Sequence, residues 1–173
     1  MKPTPFPIAL NIGTDIVHLP RISKLLHRPS YFTRFTRRIL HADEQRDFRA
    51  RFSLPQPTPA SSFSPSPSPP SPSPPLQPPS SITPDVVRWL AGRFAAKEAA
   101  RKAAPLGAAH ISWKEVVVTV GEGGRPEVVY LDGCEGDEGG KGKGEGEGSG
   151  GRVGKLSISH DGEYVVAMVV AAG

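Results

Sequence analysis

Trp89-Leu-Ala-Gly-Arg-Phe-Ala-Ala-Lys-Glu-Ala-Ala-Arg-Lys102 is the stretch on which the reading of this chain turns. Ala, Leu, Lys, Arg and Glu all favour helix, and Thr83-Pro84-Asp85 just upstream supplies N-cap and first-turn signals, so a long helix is expected over about 85–104. Glu98 and Lys102 are four apart and share a face, while Arg93 and Lys97 repeat that spacing one face over. A single carboxylate framed by Arg93, Lys97, Arg101 and Lys102 suits a metal ion beside a polyphosphate, because those cations repel one another unless an anion sits among them. The same charges are also compatible with a solvated helix face, and composition alone leaves both readings open.

Two further segments carry information. In Leu10-Asn-Ile-Gly-Thr-Asp15-Ile-Val-His-Leu-Pro-Arg21-Ile22, residues Ile8 to Val17 read as a buried strand in which Gly13 permits close backbone approach and Asp15 is the only charge. A carboxylate in an apolar strand is costly unless it is paired or binds a cation. Near the other end, Lys155-Leu-Ser-Ile-Ser-His160-Asp-Gly-Glu-Tyr164 followed by Val165-Val-Ala-Met-Val-Val170 reads as a hairpin turning at Asp161-Gly162. His160 falls at its tip, where on its own it is an ordinary turn histidine.

Together these segments closely resemble the small holo-(acyl-carrier-protein) synthase type of 4′-phosphopantetheinyl transferase. The matching residues are Gly13-Thr-Asp15 with Arg21-Ile22, Arg38-Ile-Leu40 with Glu44, Ala91-Gly-Arg-Phe-Ala-Ala-Lys-Glu-Ala99 with Lys102, Gly124-Arg-Pro126, and Ser157-Ile-Ser-His160 with Glu163-Tyr164. The resemblance implies transfer of the 4′-phosphopantetheine arm of coenzyme A to a serine of an acyl carrier protein, with adenosine 3′,5′-bisphosphate as the other product. It implies Mg2+ held by Asp15 and Glu98, whose carboxylates suit the oxygen shell of that ion. Glu98, or a water held by the metal, is the candidate base. Lys102 is the candidate for neutralising the departing phosphate, and Arg93, Lys97 and His160 are the candidate coenzyme A ligands, with Arg93 and His160 nearer the 3′-phosphate. For Lys97 a plain snorkelling role is the alternative. The resemblance also implies a homotrimer with sites at the subunit interfaces.

Composition agrees with this picture. The chain has 173 residues, a net charge of +4 and a pI near 9.4, which favours anionic partners without naming one. Its one cysteine, Cys134, excludes an internal disulfide and fits a reducing compartment. No apolar run approaches the roughly 20 residues of a membrane span. Neither a signal peptide nor an Arg-rich presequence is evident, so the expected location is cytoplasmic, with the mitochondrion as the alternative.

Residues 1–173 are expected to form one domain with two disordered insertions. From Ser53 to Pro84 the chain holds 13 of its 20 prolines, and from Gly133 to Gly154 it holds 11 of its 19 glycines; neither composition supports a packed element. What remains, about 120 residues, is an ordinary domain size. The expected fold class is α+β, with helices packed on one face of a largely antiparallel sheet. The expected elements are the strand 8–17, a basic helix or turn around 21–27, a second helix over about 31–52, the long helix, and strands at 111–120, 127–131, 155–159 and 164–171. Val116-Val-Val and Val165-Val look too apolar to remain exposed on outer strands, so self-association is expected to cover them.

Arg21, Lys24 and Arg28, spaced by three and four, would give a helix one basic face suited to an acidic carrier protein. The chain departs from the family pattern in two places: Pro105-Leu106-Gly107 stands where a Gly-Thr-Gly turn is usual, and His18 stands where Glu is common. Neither removes a metal ligand, so an active enzyme is expected rather than a carrier-binding module that has lost activity. A nucleic-acid binder is disfavoured, since no aromatic-basic RNA motif or metal-finger spacing occurs.

Overall fold

The computed structural model describes residues 8–52, 76, 78, 82–131 and 151–173. Five antiparallel strands form one sheet in the order β1-β5-β4-β3-β2. They are β1 (Leu10–His18), β2 (Val116–Val120), β3 (Pro126–Leu131), β4 (Gly151–Asp161) and β5 (Tyr164–Ala172). Among the described residues four helices accompany them: α1 (Leu19–Leu26), α2 (Tyr31–Ile39), α3 (Ala42–Arg51) and α4 (Pro84–Ala103). The α+β class expected from the sequence is the one found. Among the described residues, no helix is long and apolar enough to cross a membrane.

Helix α4 begins as its sequence suggests. Pro84 occupies its first turn and Thr83 Oγ1 accepts a hydrogen bond from Val86 N at 3.4 Å. Its buried side is mostly alanine, with Ala91, Ala95, Ala96, Ala99, Ala100 and Ala103 all inaccessible, so the helix can lie close against the sheet. Val165, Ala167 and Val169 of β5 face it across that core. Closest of all is β1: a Cβ built on Gly13 would lie 1.9 Å from Ala99 O and 2.8 Å from Ala103 N. The strand meets the helix backbone to backbone, which only glycine allows.

Several expectations are corrected. The helix expected over 31–52 is two helices, because Leu40 is extended (φ −90°, ψ 130°) and His41 caps α3. Glu44 closes a capping box there, accepting from His41 N at 2.9 Å, but histidine is not an ordinary N-cap and so gave no stop signal. The strand expected from Ile111 begins at Val116, preceded by a short 3-10 turn at Trp113–Glu115 in which Ser112 N donates to Glu115 Oε2 at 2.6 Å. Val116, Val117 and Val118 are already buried within the chain. The exposed apolar surface is instead the outer face of β1 and β5, where Ile12 and Ile16 are 66% and 60% exposed beside Val166 and Met168. Most of the Pro/Ser-rich segment and of the Gly-rich segment lies outside the described residues, but the insertion expected to run to Gly154 is corrected at its end, where Gly151 to Gly154 open β4 and pair with β3. Leu76, inside the Pro/Ser-rich segment, is part of the hydrophobic core.

Gly13→Ala should therefore cost about 3 kcal/mol of stability, at the upper end for overpacking, since backbone atoms and not a movable side chain block the methyl group. Urea unfolding measures this, and a loss below about 1 kcal/mol would show that β1 and α4 do not approach so closely.

Candidate active site

The close approach at Gly13 sets what lies beside it. Asp15, two residues along β1 on the same face, has its Oδ1 2.8 Å from Lys102 Nζ, and the same ammonium donates to Thr14 O at 2.8 Å. One turn back on α4, Glu98 Oε1 accepts from Arg101 Nη1 at 2.9 Å and from the indole Nε1 of Trp113. Both carboxylates are mostly but not wholly buried, 17% and 19% exposed. Among the described residues, the bonds run to only one oxygen of each. A metal ion is implied by the resemblance, and the donors present fit Mg2+. Two carboxylates are donors of the kind taken by an ion that keeps several waters and substrate oxygens; among the described residues no group of three or more His, Cys, Asp or Glu is placed to hold a metal ion.

Lys97, expected at a phosphate, is turned inward. It is fully buried, with Nζ 2.5 Å from Glu44 Oε2 and 2.8 Å from Trp113 O. Glu44, also inaccessible, further accepts from Val118 N at 3.1 Å, so one carboxylate joins the start of α3, the strand β2 and the middle of α4. Burial pushes the Lys97 ammonium below its usual pKa, and the Glu44 charge opposes that shift. This corrects both alternatives for Lys97: it neither snorkels nor faces a solvent-borne phosphate, and it serves the fold. Glu44 was part of the family match without a stated role. Its place three residues after His41 was the available signal.

Arg93 and His160 do come together. They share a cavity of about 280 Å³ with Arg51, Arg88 and Trp89. The Arg93 guanidinium lies 4.6 Å from the Trp89 ring centroid, and its Nε is buried with no hydrogen-bond partner among the described residues. Burial lowers its pKa against the opposing charge of Glu44, 3.9 Å away. His160 is held below the usual histidine value, first by burial and then by the Arg88 charge. Among the described residues Asp85 is the one acid lining the cavity, and it pairs with Arg88 at 3.3 Å. A pocket with this excess of cations and a buried, unsatisfied Arg93 N–H is suited to a phosphate. Arg51 and Arg88 were missed, because they flank the Pro/Ser-rich segment and become neighbours only when α3 and α4 pack.

The basic surface is larger than the sequence showed. Arg21 lines a groove of about 700 Å³ with Arg34, Arg37, Arg38 and Lys114, floored by aromatic side chains that include Phe94 and Trp113. Lys24 is exposed on α1 outside that lining. Arg28 is not on the helix: α1 ends at Leu26, and Arg28 N bonds Leu25 O in the following turn, so the expected single face does not extend to it. The two departures are also placed. His18 Nε2 lies 3.4 Å from Glu163 Oε2, and its ring packs on Tyr164 at 5.0 Å. Gly107 takes a positive φ of 79° in the turn after α4, a conformation that favours glycine.

The family model of the 4′-phosphopantetheinyl transferase superfamily matches residues 11–141. Over the full length of both chains, this sequence is 62% identical to "4′-phosphopantetheinyl transferase B, mitochondrial" of Aspergillus fumigatus. It is 28% identical to a holo-(acyl-carrier-protein) synthase of Caldanaerobacter subterraneus subsp. tengcongensis, covering 94% of each chain. Among solved structures it resembles the Bacillus anthracis holo-(acyl-carrier-protein) synthase in complex with CoA (3′,5′-ADP), with TM-score 0.53, 26% identity, and 94% and 96% of the two chains covered. The holo-ACP-synthase of Plasmodium yoelii, at 20% identity, TM-score 0.57 and coverage of 96% and 95%, shares the fold.

The buried pair yields a stability prediction. Glu44→Ala should destabilise the protein by about 3–5 kcal/mol, because it strands the Lys97 ammonium and two backbone N–H groups away from water. Pairing Glu44→Gln with Lys97→Met should recover part of that loss. Denaturant unfolding of the two variants decides it, and a Glu44→Ala loss below about 1 kcal/mol would remove the pair from the fold's supports.

Proposed function

Because the chain belongs to the 4′-phosphopantetheinyl transferase superfamily, we propose that it moves the 4′-phosphopantetheine arm of coenzyme A onto a serine of an apo acyl carrier protein, in a Mg2+-dependent reaction that releases adenosine 3′,5′-bisphosphate. The observation that carries this reading is a pair of carboxylates, Asp15 and Glu98, brought to one end of α4 while a cation-rich cavity holding Arg93 and His160 lies toward the other. Catalysis of such a transfer is mostly positioning and neutralisation of charge.

Asp15 and Glu98 would hold the metal through their carboxylates. Bound there, Mg2+ would supply positive charge that polarises the phosphorus–oxygen bonds of the pyrophosphate. The serine Oγ attacks the phosphorus that carries the pantetheine arm, the bridging P–O bond breaks, and adenosine 3′,5′-bisphosphate leaves. Glu98, or a water beside it, would take the serine proton. Lys102, engaged with Asp15 and Thr14, needs only to swing its flexible end to meet charge on the departing oxygen. Arg93, His160, Arg88 and Arg51 together clamp the 3′-phosphate. The groove with Arg21, Arg34, Arg37, Arg38 and Lys114 receives the acidic carrier protein, to which exposed Lys24 and Arg28 add long-range attraction.

Two further parts of the reading follow. The apolar outer face of β1 and β5 is covered by other copies in a homotrimer, which the exposed Ile12, Ile16, Val166 and Met168 support. The full-length likeness to a relative whose name includes "mitochondrial" favours the mitochondrial alternative over a cytoplasmic location, and with it a carrier protein of that compartment.

Incubation with coenzyme A, Mg2+ and apo carrier protein should raise the carrier's mass by one phosphopantetheine arm, and no mass gain would overturn the reaction. Asp15→Ala and Glu98→Gln should each lower the rate by about 100-fold or more while the protein still folds. Lys102→Ala should lower kcat, whereas Arg93→Ala should chiefly raise the KM for coenzyme A. His160 provides a pH signature. Its folded pKa lies below the usual value, so at pH 7 the free ring is neutral. A bound phosphate favours the protonated ring, so the wild type should take up more protons per coenzyme A bound than His160→Gln does. Calorimetry in two buffers of different ionisation heat reads the difference, and equal uptake would take His160 out of the phosphate site.

A further inference from the structure

Trp113 touches both the groove and the carboxylate, and nothing in its sequence neighbourhood singles it out. The turn at Trp113–Glu115 sets its backbone, and its carbonyl is pinned by the buried Lys97 ammonium at 2.8 Å. Its indole N–H donates to Glu98 Oε1. Its ring carries the Arg38 guanidinium carbon 4.5 Å from the centroid and that of Arg101 at 4.6 Å, and it packs on Phe94 at 6.3 Å. Arg38 and Trp113 both line the 700 Å³ basic groove.

We propose that Trp113 is a positioning residue that fixes the Glu98 carboxylate through its indole N–H and reports occupancy of the basic groove to it. This rests on the reading of Glu98 given above. A glutamate side chain has three rotatable bonds, and donors from Trp113 and Arg101 on one oxygen remove most of that freedom, leaving Oε2 in a fixed place for its second partner. Lys97, itself paired with Glu44, holds the carbonyl of Trp113, so the buried ion pair, the tryptophan and the carboxylate form one connected support. The link to the groove is Arg38. An acidic side chain of the carrier that pairs with Arg38 competes with its stacking on the Trp113 ring and shifts the indole against Glu98.

Trp113→Phe keeps an aromatic ring for the two arginines and removes only the N–H. It should lower kcat about tenfold, the effect of one hydrogen bond to a charged group, with the KM for coenzyme A within about twofold of wild type. Trp113→Leu should in addition raise the KM for the carrier protein. A Trp113→Phe enzyme with kcat within about twofold of wild type would overturn the proposal. A second measurement needs no turnover. The chain has two tryptophans, so the 15N-labelled protein gives two indole N–H signals, assigned by loss of one in Trp113→Phe or in Trp89→Phe. The Trp113 signal should move on Glu98→Gln and again on adding apo carrier protein. A signal that ignores either change overturns the inference. A wild-type protein that modifies no carrier overturns the proposed reaction instead, and the indole signal on Glu98→Gln still decides this one.

Discussion

The backbone contact between Gly13 and α4 is the constraint on which the site depends. Helices and sheets ordinarily pack about 10 Å apart, with side chains filling the space between them. Here a glycine faces a helix of alanines, and the strand comes down until its Cα faces Ala99 O and Ala103 N. That descent puts Asp15 within hydrogen-bond reach of Lys102, and the Lys102 ammonium close enough to bond Thr14 O as well. A larger residue at position 13 would lift β1 and carry Asp15 away from the helix. The small residues of the core are therefore not only filler; they set the distance across which strand and helix functional groups meet.

Charge is sorted around α4 by how far each group is taken from water. Lys97 is removed completely and is tolerable only because Glu44 meets it at 2.5 Å and Trp113 O accepts a second bond. Arg93, one turn earlier, is removed most of the way, yet stays 3.9 Å from Glu44 and keeps a buried N–H unsatisfied. Desolvation without full compensation leaves Arg93 receptive to an anion, and the neighbouring Arg51, Arg88 and His160 strengthen that demand. Glu98 and Lys102 keep some exposure: Glu98 is held through Oε1 by Arg101 and Trp113, whereas Lys102 ends in a flexible ammonium paired with Asp15. One helix thus carries a buried structural cation, an incompletely compensated arginine, a held carboxylate and a flexible ammonium within three turns.

Much of this was legible in sequence where local chemistry was ordinary. Thr83-Pro84 marked the start of α4, the hairpin at Asp161-Gly162 stood out by its turn residues, and Gly13 pointed to a close approach because glycine weakens a strand interior unless a backbone or a bend requires it. What escaped detection was non-local or atypical. A histidine cap hid the break at Leu40-His41, and the 3-10 turn at Trp113 was read as strand because Ile111 and the valines around it are β-formers. Glu44 with Lys97, Arg51 with Arg88, and Trp113 with Glu98 are pairs separated by 15 residues or more, with no periodicity connecting them. The burial of Leu76 is of the same kind, since a lone leucine among prolines carries no sign of what it packs against.

The central claim is that a strand carboxylate and a helix carboxylate, brought together at Gly13, form a single cation site. Titration with Mn2+ as a stand-in for Mg2+, followed by electron paramagnetic resonance with coenzyme A present, tests it most directly. A single class of bound ion per chain, lost equally in Asp15→Ala and in Glu98→Ala, is the result this account predicts. Binding that survives the loss of either carboxylate would contradict it.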